Sequence, residues 1–322
     1  MSSERIHITC SADTRFASDC AVMLRSLLRS NAGEAVDVHF IHDGRLPGSD
    51  LRGLAGVVTG NGGVWSPLKV PNDCLDVFPF THRYGLNAWY RTLLPSLLPQ
   101  LPRVLYLDSD LLIRGRLRPL WETDLSNCCV AAVTQPVLPE VLPRLRDTLG
   151  LPDAASYFNS GVMLLDLNEL RVERLTERVI DFVRSGRAPM PWADQDPLNA
   201  ILHHRRIRLH PRWNVMTPLF DLPARMLPFE AEEICEAIEQ PVIVHFIGPY
   251  KPWHYRCRHP FRAEYFEHLR HTPWHNRPIE GRTLRHVVLR PMPRRWQPYL
   301  DGYLDRIATV VRRMLRRDGR LP

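Results

Sequence analysis

Two carboxylates stand two residues apart at the end of an apolar run: Asp108 and Asp110 follow Arg103-Val104-Leu105-Tyr106-Leu107. In an extended chain such residues point to the same side. The pair can therefore ligate a hard divalent cation, which in turn can bridge the two phosphates of a nucleotide sugar. The same triplet also occurs as a solvated turn or a helix N-cap, and its place directly after a buried strand favours the metal reading. A second set lies far downstream, in His245-Phe246-Ile247-Gly248-Pro249-Tyr250-Lys251-Pro252-Trp253-His254. An imidazole nitrogen can complete a site begun by carboxylates. Gly248 lets backbone approach a ligand closely, and Lys251 supplies a flexible positive charge for a diphosphate. Taken singly, His245 reads more readily as a satisfied core histidine and Lys251 as a surface residue.

Two polar interruptions of apolar context lie between these sets: Phe158-Asn159-Ser160-Gly161 and Trp192-Ala193-Asp194-Gln195-Asp196. Their amides and carboxylates can read sugar hydroxyls. The plainer readings are a turn for the first and a helix start capped by Asp194 for the second, where Pro197 follows. Arg91 sits within the apolar stretch Leu86 to Leu98, where a solvated arginine is the plain reading.

These side chains need a scaffold, and the hydrophobic pattern supplies one. Ile6 to Cys10, Val36 to Ile41, Val64 to Val70, Arg103 to Leu107, Cys129 to Val133, Tyr157 to Leu167 and Pro241 to Phe246 read as strands. Cys20, Leu24, Leu27 and Leu28 share one helical face, Leu51 to Leu54 lies on a helix, and Leu86 to Leu98 reads as another. Val172, Leu175, Val179 and Phe182 recur at helical spacing, with Gly186 as a stop. Alternating strands and helices predict an α/β fold with a mostly parallel sheet covered on both faces. Such sheets bind ligands beyond the carboxyl ends of their strands.

Four ordered blocks resemble glycosyltransferase family 8, retaining enzymes related to bacterial lipopolysaccharide galactosyl- and glucosyltransferases. They are Ala12-Asp13; Arg91 with Tyr106-Leu107-Asp108-Ser109-Asp110; Tyr157-Phe158-Asn159-Ser160-Gly161-Val162; and Asp194-Gln195-Asp196 with His245 to His254. The resemblance covers about residues 6 to 274. It implies a GT-A fold, a UDP-sugar donor (UDP-galactose or UDP-glucose), a glycan acceptor, and Mn²⁺ or Mg²⁺ as cofactor. By position it implies metal binding by Asp108, Asp110 and His245, and uridine contacts from Ala12 and Asp13. Arg91, Asn159, Asp194 and Gln195 would surround the donor sugar, with Ser109 beside them and Gly248 and Lys251 on the diphosphate. Asp194 and Gln195 are the candidates nearest the chemistry. Retention requires either a protein nucleophile and two inversions or same-face attack by the acceptor. Asp194 is the one carboxylate in these blocks suited to the first route, and same-face attack is the favoured reading. Two positions depart from the pattern. Thr14-Arg15 replaces the acidic or amide residue that often follows the first Asp, and Gln135 stands where relatives often carry an Asp near the acceptor.

Bulk properties narrow the alternatives. The 322 residues are 44% hydrophobic and 24% charged, enough for one large domain with an appendage or for two small domains. Between Arg282 and Pro322 eleven arginines face three aspartates, an excess of eight positive charges, so the rest of the chain carries a net −1. That confinement argues against nucleic-acid binding by the main domain. A phosphohydrolase would need a further acidic cluster for a second metal. An inactive UDP-sugar-binding protein is the alternative reading, and the complete Asp108, Asp110, His245 and Lys251 set argues against it. The expected division is a catalytic domain over 1–281 and a basic amphipathic segment over 282–322. In that segment Leu300, Tyr303, Leu304, Ile307, Val311, Met314 and Leu315 form an apolar stripe flanked by Arg306, Arg312, Arg313, Arg316 and Arg317. Such a helix lies on an anionic membrane surface. With seven scattered cysteines, no signal-peptide pattern and no spanning apolar stretch, the expected location is cytoplasmic, peripheral to the inner face of the cytoplasmic membrane.

Overall fold

The computed structural model describes residues 4–71, 74–79, 85–186, 190–283 and 286–287. The basic stripe expected over residues 300–315 lies outside them.

The chain enters through three parallel strands, β1 (Ile6–Ser11), β2 (Val36–His42) and β3 (Val64–Lys69), joined by the helices Ala17–Ser30 and Gly48–Thr59. The Cys20, Leu24, Leu27 and Leu28 face of the first helix is buried, as its spacing predicts. β4 (Arg103–Leu107) joins β1 in parallel. Next come β5 (Leu111–Ile113), β6 (Val130–Thr134), β7 (Phe158–Asp166) and β8 (Arg206–Arg208). The main sheet runs β3-β2-β1-β4-β7-β6-β8. It is mostly parallel, with β7 antiparallel to both β4 and β6.

Alternation along the strands sends side chains to two separate cores. Ile6, Ile8, Leu105, Leu107, Val162 and Leu164 pack on one face, and Val104, Tyr106, Val130, Met163 and Leu165 on the other. A smaller sheet holds β5, β9 (Val215–Met216) and β10 (Ile243–His245), in the order β5-β10-β9. Asp108-Ser109-Asp110 is the link between the two sheets, because β4 ends before it and β5 begins after it. None of the seven cysteines forms a disulfide. Among the described residues no helix is long and apolar enough to cross a membrane.

Two helical expectations are corrected. Leu86–Leu93 is a 3₁₀ helix and only Leu94–Leu97 is α-helical. Pro95 has no N–H to give the Arg91 carbonyl, and side chains take neighbouring carbonyls: Arg91 donates to Ala88, Thr92 to Trp89 and Thr176 to Thr92. Val172 stands outside the Leu175–Ser185 helix and is 75% exposed, because Arg174 turns left-handed (φ 52°) and starts a new axis. Gly186 closes that helix with φ 59°, as its position predicts.

Candidate functional site

Strand register brings the dispersed residues together. In the small sheet His245 pairs with Leu111, the residue after Asp110, and the Phe246 N–H donates to the Asp110 carbonyl (3.1 Å). In the main sheet the Asp108 N–H donates to the Gly161 carbonyl (2.8 Å). Because β7 is antiparallel, its first residues reach the edge where β4 ends. The Asn159 block is therefore strand and not turn.

Asp108, Asp110 and His245 each offer a ligand atom, all within 4.8 Å of one another. His245 is buried, with Nε2 3.2 Å from Asp110 Oδ1 and 3.8 Å from Asp108 Oδ2. The other oxygen of each carboxylate has its own cation. Lys251 donates to Asp110 Oδ2 and to the Phe246 carbonyl (2.6 Å). Burial raises the Asp110 carboxyl, but Lys251, joined by His245 when its ring is protonated, outweighs it and holds the group well below the carboxylate range. Arg91 donates to Asp108 Oδ1 (2.8 Å), which also accepts from Tyr106 (3.1 Å). Ser109 points the other way, onto the Ser11 carbonyl (2.5 Å), and ties the turn to the end of β1.

Arg91 is buried, contrary to its plain reading. It stacks 4.3 Å over Tyr106, donates to the Ser160 carbonyl (2.6 Å) and pairs with Asp194 Oδ2 (3.0 Å). Burial pushes the Asp194 carboxyl up to about 7 against the pull of Arg91. Asp194 occupies the cap position of the helix Gln195–Leu202, yet its side chain makes no capping bond and turns to Arg91 and Ser160 instead. Gln195 Oε1 accepts from the Ser160 N–H (3.0 Å) and from Asn159 (3.3 Å). Gln135 also accepts from Asn159, at 2.8 Å. Asn159 Oδ1 takes the Gly161 N–H (3.0 Å) and the Asn214 amide (2.8 Å), and Asn214 Oδ1 lies 3.0 Å from His245 Nδ1.

Gly161 is the tightest point. A Cβ there would stand 2.4 Å from His245 Cε1 and 2.6 Å from Asp108 Oδ2. Gly248 adopts φ 96°, a left-handed backbone that favours glycine. The segment beyond it is held from behind: Arg277 stacks 3.9 Å over Trp253 and pairs with the fully buried Asp19 (2.7 Å).

Past the end of β1 is an open cavity of about 170 Å³. Ala12 and Asp13 line it, as do His42, Asp43, Asn87 and Tyr90. Asp13 accepts from the Arg15 backbone (2.9 Å) and pairs with its guanidinium (2.8 Å). The structure thus brings together Arg91, Asp108, Asp110, Asn159, Asp194, Gln195, His245 and Lys251, sets Ala12 and Asp13 on the cavity, turns Ser109 away, and adds Asn214 and the His42, Asp43 and Tyr90 wall. A polar residue directly after β2 was the available signal for the wall. Asn214 follows a short 3₁₀ turn and carries no motif of its own.

Residues 7–257 match the family model for glycosyl transferase family 8. The chain is 31% identical over 278 residues to General stress protein A of Bacillus subtilis strain 168, covering 84% of this chain and 95% of that protein. It is 25% identical over 276 residues to a lipopolysaccharide 1,2-glucosyltransferase of Escherichia coli K12, covering 84% and 80%. Among solved structures, galactosyltransferase LgtC in complex with donor and acceptor sugar analogs superposes with a TM-score of 0.73 at 23% identity, over 91% of this chain and 99% of that one. The fold is accordingly GT-A. With a family match spanning most of its length and a relative of such coverage, this chain is a member of glycosyltransferase family 8.

Proposed function

We propose that this enzyme transfers a hexose, galactose or glucose, from a UDP-sugar to a lipopolysaccharide or other cell-surface glycan, with retention at the sugar carbon. The convergence of Asp108, Asp110 and His245 within 4.8 Å carries the reading. Two carboxylates and an imidazole suit Mn²⁺ or Mg²⁺, and these three residues would hold the ion. Bound there, the ion would supply Lewis-acid stabilisation of the diphosphate.

The chain's own groups do the rest. Ala12 and Asp13 border the cavity proposed for uridine. Lys251 offers its ammonium to the leaving diphosphate, with Gly248 opening the backbone beside it. Arg91 fixes Asp108 on one side and Asp194 on the other, and Asn159, Gln195 and Ser109 form the polar frame for the sugar. The Asp194 carboxylate is buried and engaged by Arg91 and Ser160, which favours same-face attack over a covalent intermediate. In that route the acceptor oxygen bonds to the sugar carbon and the bond to phosphate breaks. Its electron pair stays on UDP, and the acceptor proton passes to the departing phosphate oxygen. The lipopolysaccharide relatives support a glycan acceptor. The test is a thermal-shift screen of UDP-sugars with and without Mn²⁺, followed by assay of UDP release. A donor raises the melting temperature only with the metal and is turned over; stabilisation without any UDP release would instead indicate an inactive binding protein.

We further propose that 282–322 forms a separate basic segment that holds the enzyme on the anionic inner face of the cytoplasmic membrane. Full-length protein should co-sediment with anionic vesicles and a truncation ending at Gly281 should not. Equal binding of both would place the anchor elsewhere.

A further inference from the structure

Asn214 is fully buried and touches neither carboxylate, yet it links the histidine of the site to the amide proposed to face the donor sugar. Its orientation follows from counting protons. The Gly161 backbone N–H can only donate, so the Asn159 atom that receives it at 3.0 Å is the oxygen. The other end of Asn159 agrees, because its NH₂ faces Gln195 Oε1, an atom that itself accepts the Ser160 backbone N–H. The Asn214 atom 2.8 Å from Asn159 Oδ1 must then be the NH₂. Its oxygen is left facing His245 Nδ1 at 3.0 Å, and an oxygen there needs a proton on that nitrogen.

We infer that Asn214 is a positioning residue that holds His245 in the Nδ1–H tautomer, so that the Nε2 lone pair is aimed at Asp108 and Asp110. The lone pair then meets Asp110 Oδ1 at 3.2 Å and Asp108 Oδ2 at 3.8 Å. Three acceptors face one another, an arrangement that a cation completes. β9 delivers Asn214 to this place: Met216 pairs with His245 in parallel register, and Asn214 directly precedes the strand. Gly161 leaves room for the ring edge, since a Cβ there would stand 2.4 Å from His245 Cε1. Partners of this kind orient metal-binding histidines and set ligand affinity. The inference rests on the metal reading for its purpose, but the tautomer can be observed without metal.

The test has two arms. In the first, ¹⁵N-histidine NMR of the metal-free protein at alkaline pH, where an imidazole is neutral, reads which nitrogen of His245 carries the proton, with His245→Gln assigning the signal. Wild type should show Nδ1–H; a proton on Nε2 overturns the assignment without any variant. In the second, Mn²⁺ titrations followed by electron paramagnetic resonance compare wild type, Asn214→Ala and Asn214→Asp. The alanine variant should lose the Nδ1–H preference and bind Mn²⁺ about 10- to 100-fold more weakly. The aspartate variant keeps an acceptor for Nδ1–H while losing the donor to Asn159, so it should restore the tautomer and most of the affinity. A merely structural Asn214 would fail alike in both. Unchanged tautomer and affinity in Asn214→Ala overturn the inference. Wild-type protein with the Nδ1–H signature but no Mn²⁺ uptake would support the assignment of Asn214 and refute the metal reading instead.

Discussion

Lys251 and His245 face opposite oxygens of one carboxylate, that of Asp110. The lysine thus rests on a proposed metal ligand, while its proposed task is on the diphosphate. Replacing it with alanine separates those two roles. Lys251→Ala should bind Mn²⁺ several-fold more tightly in the absence of nucleotide, because an ammonium no longer competes for Asp110. It should also lose turnover more than donor affinity, since the charge on the leaving group grows mainly in the transition state. Metal titration and steady-state kinetics read the two effects. Normal kcat with only a raised KM would reduce Lys251 to a ground-state anchor.

Asp108→Ala and Asp110→Ala should each abolish Mn²⁺-dependent UDP binding while leaving a folded protein. Asp108→Ala deprives Arg91 of one charged partner but leaves Asp194 in place, so the expected cost is about 2 kcal/mol. Calorimetry with and without Mn²⁺, beside urea denaturation, checks both. Metal-dependent affinity retained in both variants would remove the pair from the site.

Gly161→Ala tests the closeness of the two sheets. The added methyl would press on His245 Cε1 and Asp108 Oδ2, side chains that Asn214 and Arg91 hold in place. Overpacking of this kind costs about 1–3 kcal/mol, and Mn²⁺ affinity should drop at least tenfold. An alanine variant with wild-type metal affinity would mean that the site relaxes freely.

His259 gives the fold an acid-labile point away from the carboxylates. Its ring is enclosed by Phe220 and Phe246 at centroid distances of 4.9 and 4.7 Å. Nδ1 accepts the Phe261 N–H (3.3 Å), and Nε2 has no hydrogen-bond partner among the described residues. Burial lowers its pKa to about 4. The native state therefore favours the neutral ring. This contribution is intact above the ordinary histidine value of 6.5 and is lost as pH falls from there to about 4, a change on the order of 3 kcal/mol. His259→Asn keeps an acceptor without the titration, so its melting temperature should decline less over that window. Parallel curves for both proteins would remove His259 as the cause.

The parts of the site that announce themselves in one dimension are those that end a strand. Asp108 and Asp110 are legible because the apolar run Val104-Leu105-Tyr106-Leu107 precedes them, and His245 because Val242-Ile243-Val244 does. The parts that depend on strand direction are not. For the Asn159 block a turn is the plain reading, although Tyr157 to Leu167 reads as a strand, because alternation there does not reveal that β7 runs against β4. Arg91 reads as solvated because one charge in an apolar stretch says nothing of two carboxylates brought from residues 108 and 194. Asn214 is silent because its meaning lies in a proton count across three amides, and that count exists only after folding. The helix from Leu86 fails as an α-helix for a local reason, Pro95, which periodicity alone does not weigh.

The antiparallel placement of β7 between β4 and β6 also sets a timetable. Lys251 reaches Asp110 across 141 residues of sequence, and Arg91 reaches Ser160 across 69. Contacts so distant form late, after the loop-closure entropy of the intervening chain has been overcome. During vectorial synthesis a nascent chain that has displayed Asp108 and Asp110 has no β7 beside them, no histidine opposite and no lysine across the carboxylate. The acidic pair must wait until the chain has been made as far as Lys251. On the proposed reading, donor capture would then begin only once both sheets have closed around the acidic pair, and a shorter nascent chain would leave nucleotide sugar untouched.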